Sequence, residues 1–212
     1  MSLYPLSAYA EALGDDLDRL RPELRRYFSG PSVSGQIGVG EGVFEWASSR
    51  PRWLAALSRP VLGPELFLSA SGSSVPFRVE NIPARDTAGR PLLRTRRTYY
   101  FPSGPGVFSD SVEAVGPGLV LDRLGARGRV EATLRCEVTP EGTLRMVSVA
   151  TALRLGRLRV PLPRLLGVHV EGFDGWDDET GLHLVSVRGN NPLLGTIIEY
   201  RGSFAYRYEE AE

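Results

Sequence analysis

The chain contains no lysine, so all 25 of its basic side chains are arginines. That absence removes Schiff-base catalysis, pyridoxal phosphate attachment and the lysine of a P-loop together. Cysteine occurs once, at Cys136, which excludes an internal disulfide and a thiolate zinc site. With only His169 and His183 to supply imidazoles, multi-histidine metal centres are excluded as well, and neither a metal nor a cofactor is expected. Net charge is also missing: 25 arginines face 25 aspartates and glutamates, leaving no basic excess for a phosphate backbone, so no nucleic-acid partner is expected. No stretch approaches the roughly 18 consecutive apolar residues of a spanning helix, and the N-terminus has no basic segment followed by an apolar run. The expectation is a soluble, cytoplasmic protein without membrane insertion.

What is present is ordinary globular composition: 212 residues, 42% hydrophobic and 24% charged. A single domain of this length buries roughly 70% of its unfolded surface, and one domain spanning 1–212 is the simplest reading. Its 24 glycines and 16 prolines punctuate short apolar runs, a pattern of strands and turns. The start differs. Leu13, Leu17, Leu20, Leu24 and Phe28 recur at helical spacing, which predicts an amphipathic helix interrupted near Pro22. A second short helix is predicted over Arg52 to Leu57, introduced by Pro51 and stopped by Pro60. Both are expected to pack outside a sheet. Ser29 to Gly42 reads as loop or the beginning of a strand, and residues 1–60 as a helical segment with a first strand.

From Pro64 the segments alternate. Glu65 to Ala70, Val75 to Ile82, Leu92 to Phe101, Gly106 to Ala114, Leu119 to Leu124 and Gly128 to Thr139 are each strand-length. Gly142 to Leu155, Arg157 to Val160, Val168 to Phe173, Leu182 to Arg188 and Thr196 to Tyr208 continue the series. About ten consecutive antiparallel strands must hide their edges, and closing the sheet does so. The predicted architecture is mainly β: a strongly curled sheet or lipocalin-like barrel over 64–208, with one or two N-terminal helices and an interior to fill.

Several segments taken together carry a resemblance: Val75-Pro76-Phe77-Arg78-Val79-Glu80-Asn81, Arg97-Thr98-Tyr99-Tyr100-Phe101-Pro102, Asp122-Arg123-Leu124-Gly125 and Asn191-Pro192-Leu193-Leu194-Gly195. Glu199-Tyr200-Arg201-Gly202-Ser203-Phe204 and the early Leu20-Arg21-Pro22-Glu23-Leu24 belong to the same pattern. The chain resembles the bacterial family DUF4166, whose function is unknown. The resemblance implies a domain found alone, beside dehydrogenase-like domains, or at the end of membrane proteins, and it transfers no catalytic residue. Tyr99 stands where the family pattern has Phe, adding a hydroxyl.

Three groups of residues invite chemistry. Strand alternation puts Leu93, Thr95, Arg97, Tyr99 and Phe101 on one face. An inward Arg97 needs an internal carboxylate or a ligand anion, because an unpaired buried charge is costly. In the second group His169, Glu171 and Phe173 share a face, offering an acid and a base on one strand; the alternative is an exposed polar face over valines. In the third, Tyr200 shares a phase with Ile198, Phe204, Tyr206 and Tyr208, which reads as core or cavity wall from which Tyr200 could offer a hydroxyl. Asn81, Asn190 and Asn191 read as turn caps before prolines, and Asp174, Asp177, Asp178 and Glu179 as a solvated hairpin tip. Gly38-x-Gly40-x-Gly42 lacks dinucleotide-fingerprint spacing, and Cys136 reads as an inert core thiol.

The leading expectation is a non-enzymatic module holding a hydrophobic or amphiphilic small molecule in a barrel cavity, with Arg97, Tyr99, His169, Glu171 and Tyr200 as ligand-binding residues. One alternative is a cofactor-free isomerase, cyclase or hydrolase using His169 and Glu171 as acid and base in that cavity. Another is an interaction domain for a dehydrogenase-like or membrane partner.

Overall fold

The structure, a computed structural model, describes residues 7–49, 52–68 and 70–211. Three helical pieces open the chain: α1 (Ala8–Leu13), a 3₁₀ turn (Gly14–Arg19) and α2 (Pro22–Ser29). The predicted single helix is thus divided. Gly14 leaves α1 with φ at +53°, and Pro22 occupies the first turn of α2, where its missing N–H costs nothing. A third helix, α3 (Arg52–Leu62), continues through Pro60, the residue expected to stop it; Pro51 lies outside the described residues.

The strands are β1 (Gln36–Ser49), β2 (Gly72–Arg85), β3 (Pro91–Phe101), β4 (Gly104–Gly116), β5 (Leu119–Leu124), β6 (Val130–Val138), β7 (Leu144–Leu155), β8 (Leu158–Pro161), β9 (His169–Asp177), β10 (Leu182–Asn191) and β11 (Gly195–Glu210). All pairings are antiparallel. The order runs β6-β5-β4-β3-β2-β1-β11-β10-β9-β7, and pairing of β6 with β7 closes it into a ten-stranded barrel. β8 folds back on the end of β7 as a flap outside the ring. Closure removes the unpaired edges that a run of antiparallel strands would otherwise expose.

One segment departs from the sequence expectation, Glu65 to Ala70, whose described residues, 65–68 and 70, form no strand. Its backbone is satisfied singly instead, with Ser109 N donating to Glu65 O and Ala126 N to Pro64 O, while Leu66 and Leu68 are buried. The glycine-rich stretch read as loop or the beginning of a strand resolves as both, with β1 starting at Gln36. Gly38 and Gly40 are needed there because a Cβ would collide with Tyr206 and with Val79 and Phe204, so the glycines let aromatic rings lie flat over the strand.

The N-terminal helices also sit differently from expectation. Rather than packing outside the sheet, α1 and α2 stop one mouth of the barrel, burying Leu13, Leu20, Leu24 and Phe28 against Val112, Val120, Leu134 and Leu144. An open mouth leaves apolar strand ends in water, and the amphipathic face covers them. A second apolar cluster, Phe44, Phe77, Tyr99, Phe101, Tyr200 and Phe204, fills the rest of the interior.

Candidate functional site

Strand alternation fixes what faces inward. On β3 the inner phase is Thr95, Arg97, Tyr99 and Phe101; on β4 it is Phe108, Asp110 and Val112. Thr95 and Asp110 are register partners, so Arg97 lies diagonally across from Asp110, and the two form an ion pair with side chains 21% and 4% exposed. Asp122 follows Val120 on β5, and Asp174 follows Gly172 on β9. One guanidinium therefore shares the interior with three carboxylates.

The electrostatics follow from that ratio. Burial, then the charge of Asp110, raises the Asp122 carboxyl well above the usual carboxylate range, against the pull of Arg97. Burial pushes Asp174 up to about 7, again against Arg97. Around them Tyr200 is pushed up to about 12 by burial, and Tyr99 is raised by burial and by Tyr200. Among the described residues, two buried atoms of this inner cluster, Oδ1 of Asp122 and the hydroxyl of Tyr99, have no hydrogen-bond partner. Each such orphan costs about 1–3 kcal/mol. The Tyr99 hydroxyl is thus buried and unused within the fold.

Beside this cluster lies a cavity of about 60 Å³, lined on the polar side by Asn81, Thr95, Arg97, Asp174 and Tyr200 and on the other by strand aromatics with Tyr9, Tyr27 and Phe28 of the helical stopper; Asp110, Asp122 and Tyr99 stand behind its wall. Its volume suits a few water molecules; ligand pockets are typically about 300–1,000 Å³.

Of the residues singled out in sequence, Arg97 and Tyr200 line this cavity, and Tyr99 packs behind Tyr200 with ring centroids 6.1 Å apart. His169 and Glu171 do neither. Their side chains are 53% and 56% exposed on the outer surface of β9, with Nε2 of His169 3.5 Å from Oε1 of Glu171. The inner phase of that strand belongs to Val170, Gly172 and Asp174, so an acid–base pair of His169 and Glu171 inside the cavity is ruled out by the pleat. Asp174, read as part of a solvated tip, is instead 7% exposed and interior. Asn81 caps no turn either: it is buried in β2, and its amide donates to the Tyr206 hydroxyl at 3.3 Å. Asn191 does cap, accepting from the N–H groups of Leu193 and Leu194. Cys136 is buried and its thiol is pushed up to about 12 by burial, then by the charge of Asp174. His183 is buried among Tyr27, Trp176 and Phe204, and burial lowers it to about 4.

The residues missed were Asp110, Asp122, Asp174 and Tyr27. A signal for the three aspartates existed in the text: each interrupts an apolar phase, Phe108-x-Asp110-x-Val112, Val120-x-Asp122-x-Leu124 and Val170-x-Gly172-x-Asp174. A carboxylate in the apolar register of a strand is the mark of a buried polar group.

The family described as "Domain of unknown function (DUF4166)" matches residues 20–204, from the last turn before α2 to the middle of β11. The uncharacterized protein YndH of Bacillus subtilis (strain 168) is similar at 25% identity over 147 residues, 68% of this chain and 71% of that protein. Among the described residues no helix is long and apolar enough to cross a membrane.

Proposed function

The chain belongs to the DUF4166 family, and we propose that its barrel is a binding module for a small hydrophobic or amphiphilic molecule, held at its polar end by the Arg97, Asp110, Asp122 and Asp174 cluster. The observation that carries this reading is the set of orphaned polar atoms, Asp122 Oδ1 and Tyr99 OH, inside an aromatic-walled interior. A fold under no functional demand gains by replacing such groups with apolar ones. The charge ratio defines the polar end further. Arg97 is already neutralised by Asp110, so a ligand anion finds no free counter-charge, whereas the raised carboxyls of Asp122 and Asp174 can both donate to and accept from a neutral hydroxyl. The present volume of about 60 Å³ is too small for an acyl chain, so entry requires Tyr9, Tyr27 and Phe28 to withdraw with the stopper.

Native mass spectrometry of the freshly purified full chain, followed by denaturation and identification of any released molecule, tests the reading. Fluorescence titration with decanol and with decanoate then tests the polar end. A stoichiometric adduct, or uptake of decanol in preference to decanoate, is the expected result. A clean mass with uptake of neither overturns binding, and preference for decanoate overturns the donor assignment.

A second reading rests on Asp174 alone. A carboxyl with a pKa of about 7, facing a cavity beside Arg97 and Tyr200, has the properties of a general acid or base. In a cofactor-free enzyme this role falls to Asp174 rather than to His169 and Glu171. Loss of turnover with retained ligand binding in Asp174→Asn is its test.

A further inference from the structure

The outer face of the strands that carry the interior cluster holds a groove of about 600 Å³. Its floor is Ser109, Asp110 and Ser111 of β4 with Thr95 of β3, Asp110 between the serines being held from the inner side by Arg97. Arg94 on β3, Ser111 on β4 and Arg123 on β5 are in register, and one step along, Arg96 faces Ser109. Adjacent strands are about 4.8 Å apart, so Arg94 and Arg123 rise roughly 10 Å from each other on either side of a short hydroxyl. That spacing lets two long guanidinium arms converge on one tetrahedral anion. Beyond the end of β5, Arg127 and Arg154 complete the wall.

Other parts of the outer surface balance their charges. Arg78 and Arg207 share Glu41, Arg201 meets Glu45 at 2.9 Å, and Arg188 meets Glu199 at 3.8 Å. The groove is different. Arg94 and Arg96 have no carboxylate within 4.0 Å among the described residues, and Glu80, opposite Arg96 in register, turns to Arg78 instead. The far wall is braced from behind: Glu113 holds Arg123 at 2.7 Å, and Glu131, 1% exposed, reaches Arg123 and Arg154 at 3.5 Å. Arg127 is anchored to the Pro60 carbonyl at 2.9 Å. Ser109 Oγ lies beneath the floor, buried and without a hydrogen-bond partner among the described residues. Braced guanidinium forks opposite unpaired ones, over the Ser111 hydroxyl, form a receptor for phosphoryl oxygens, which accept the paired N–H bonds that arginine offers.

We propose that this groove binds a phosphate-bearing ligand, with one phosphoryl group over Ser111 between Arg94 and Arg123 and a second over Ser109 beside Arg96. The site is separate from the barrel interior, so it stands or falls independently of ligand binding there. The ligand is either a soluble di- or polyphosphate or a lipid headgroup, and both present the same oxygens.

Isothermal titration of the full chain with inorganic pyrophosphate is the test, alongside co-sedimentation with phosphatidylcholine vesicles with and without phosphatidic acid. Arg94→Gln/Arg96→Gln removes two arginines that have no carboxylate partner, and Arg188→Gln/Arg201→Gln removes the same charge from another face. Pyrophosphate affinity is expected to fall at least roughly tenfold in the first pair and to stay within about twofold in the second. Binding of pyrophosphate without vesicle recruitment assigns a soluble ligand; phosphatidic acid-dependent recruitment, lost in the first pair, assigns a headgroup. Absence of both kinds of binding, or equal loss in the two pairs, overturns the proposal.

Discussion

The inner and outer faces of β3, β4 and β5 are one residue apart in sequence and opposite in charge. Inside, Arg97 stands against Asp110 and Asp122, with Asp174 arriving from β9. Outside, Arg94 and Arg96 have no carboxylate within 4.0 Å among the described residues, and Arg123 alone of the three reaches Glu113 and the shielded Glu131. The formal net charge of zero hides a segregation produced by the two-residue period of the strand alone. The difference teaches that an ion pair takes its meaning from what surrounds it. Bulk water can replace a lost partner on the outer face, whereas inside no second opposite charge stands ready to replace Arg97 for Asp110.

The sharpest way to break this comparison is Arg97→Leu. It leaves Asp110 without a counter-charge beside two further carboxyls, so stability is expected to drop by about 3–5 kcal/mol, read as a lower midpoint in urea. The same substitution at Arg96 should move the midpoint by no more than about 0.5 kcal/mol. Equal effects at the two positions would mean that the interior is wetter than its packing implies.

A smaller effect sharpens the interior further. Asp174 titrates near 7 in the fold against 3.8 as its ordinary value, so between those limits the native state holds a proton that the unfolded chain has released. Its contribution to stability is therefore lost as pH rises through that window. Asp174→Asn removes the loss, and the variant should gain on the wild type by roughly 3 kcal/mol on going from the lower to the upper limit. His183 acts with the opposite sign, because lowering to about 4 makes stability fall as pH drops from 6.5. Only the difference between variant and wild type isolates Asp174. Parallel curves of unfolding free energy against pH would remove Asp174 from the set of buried titrating groups.

Much of the fold was legible because alternation and turn residues act locally. Leu119 to Leu124 was placed residue for residue, and nine further strands were found within a few residues of their ends. Closure followed from the edge argument rather than from any motif. The errors share one cause, which is that long-range packing decides them. The stretch from Ser29 to Gly42 stayed open between loop and strand, and the rings of Phe204 and Tyr206 crossing over Gly38 and Gly40 are what settle it for β1. Residues 65–68 have a strand's composition but no free neighbour to pair with once the barrel is closed. In the site, Arg97, Tyr99 and Tyr200 were legible from phase, as the three aspartates would have been. Their convergence was not, since β9 and β3 are brought together only by the closed ring.

His169 and Glu171 give the smallest expected effect and the cleanest control. Both side chains are more than half exposed, and their 3.5 Å contact lies in water on the outer side of β9. An exposed pair of this kind contributes little, since solvent screens the attraction and ordering two side chains opposes it. The double substitution His169→Ala/Glu171→Ala should change the unfolding midpoint by no more than about 0.5 kcal/mol and leave decanol uptake unaltered. Nothing on the inner face of β9 is touched, because Gly172 and Asp174 point the other way. A large loss of ligand uptake in this variant would place the entrance to the interior beside β9, and would move the functional surface from the Arg97 cluster to the outside of the barrel.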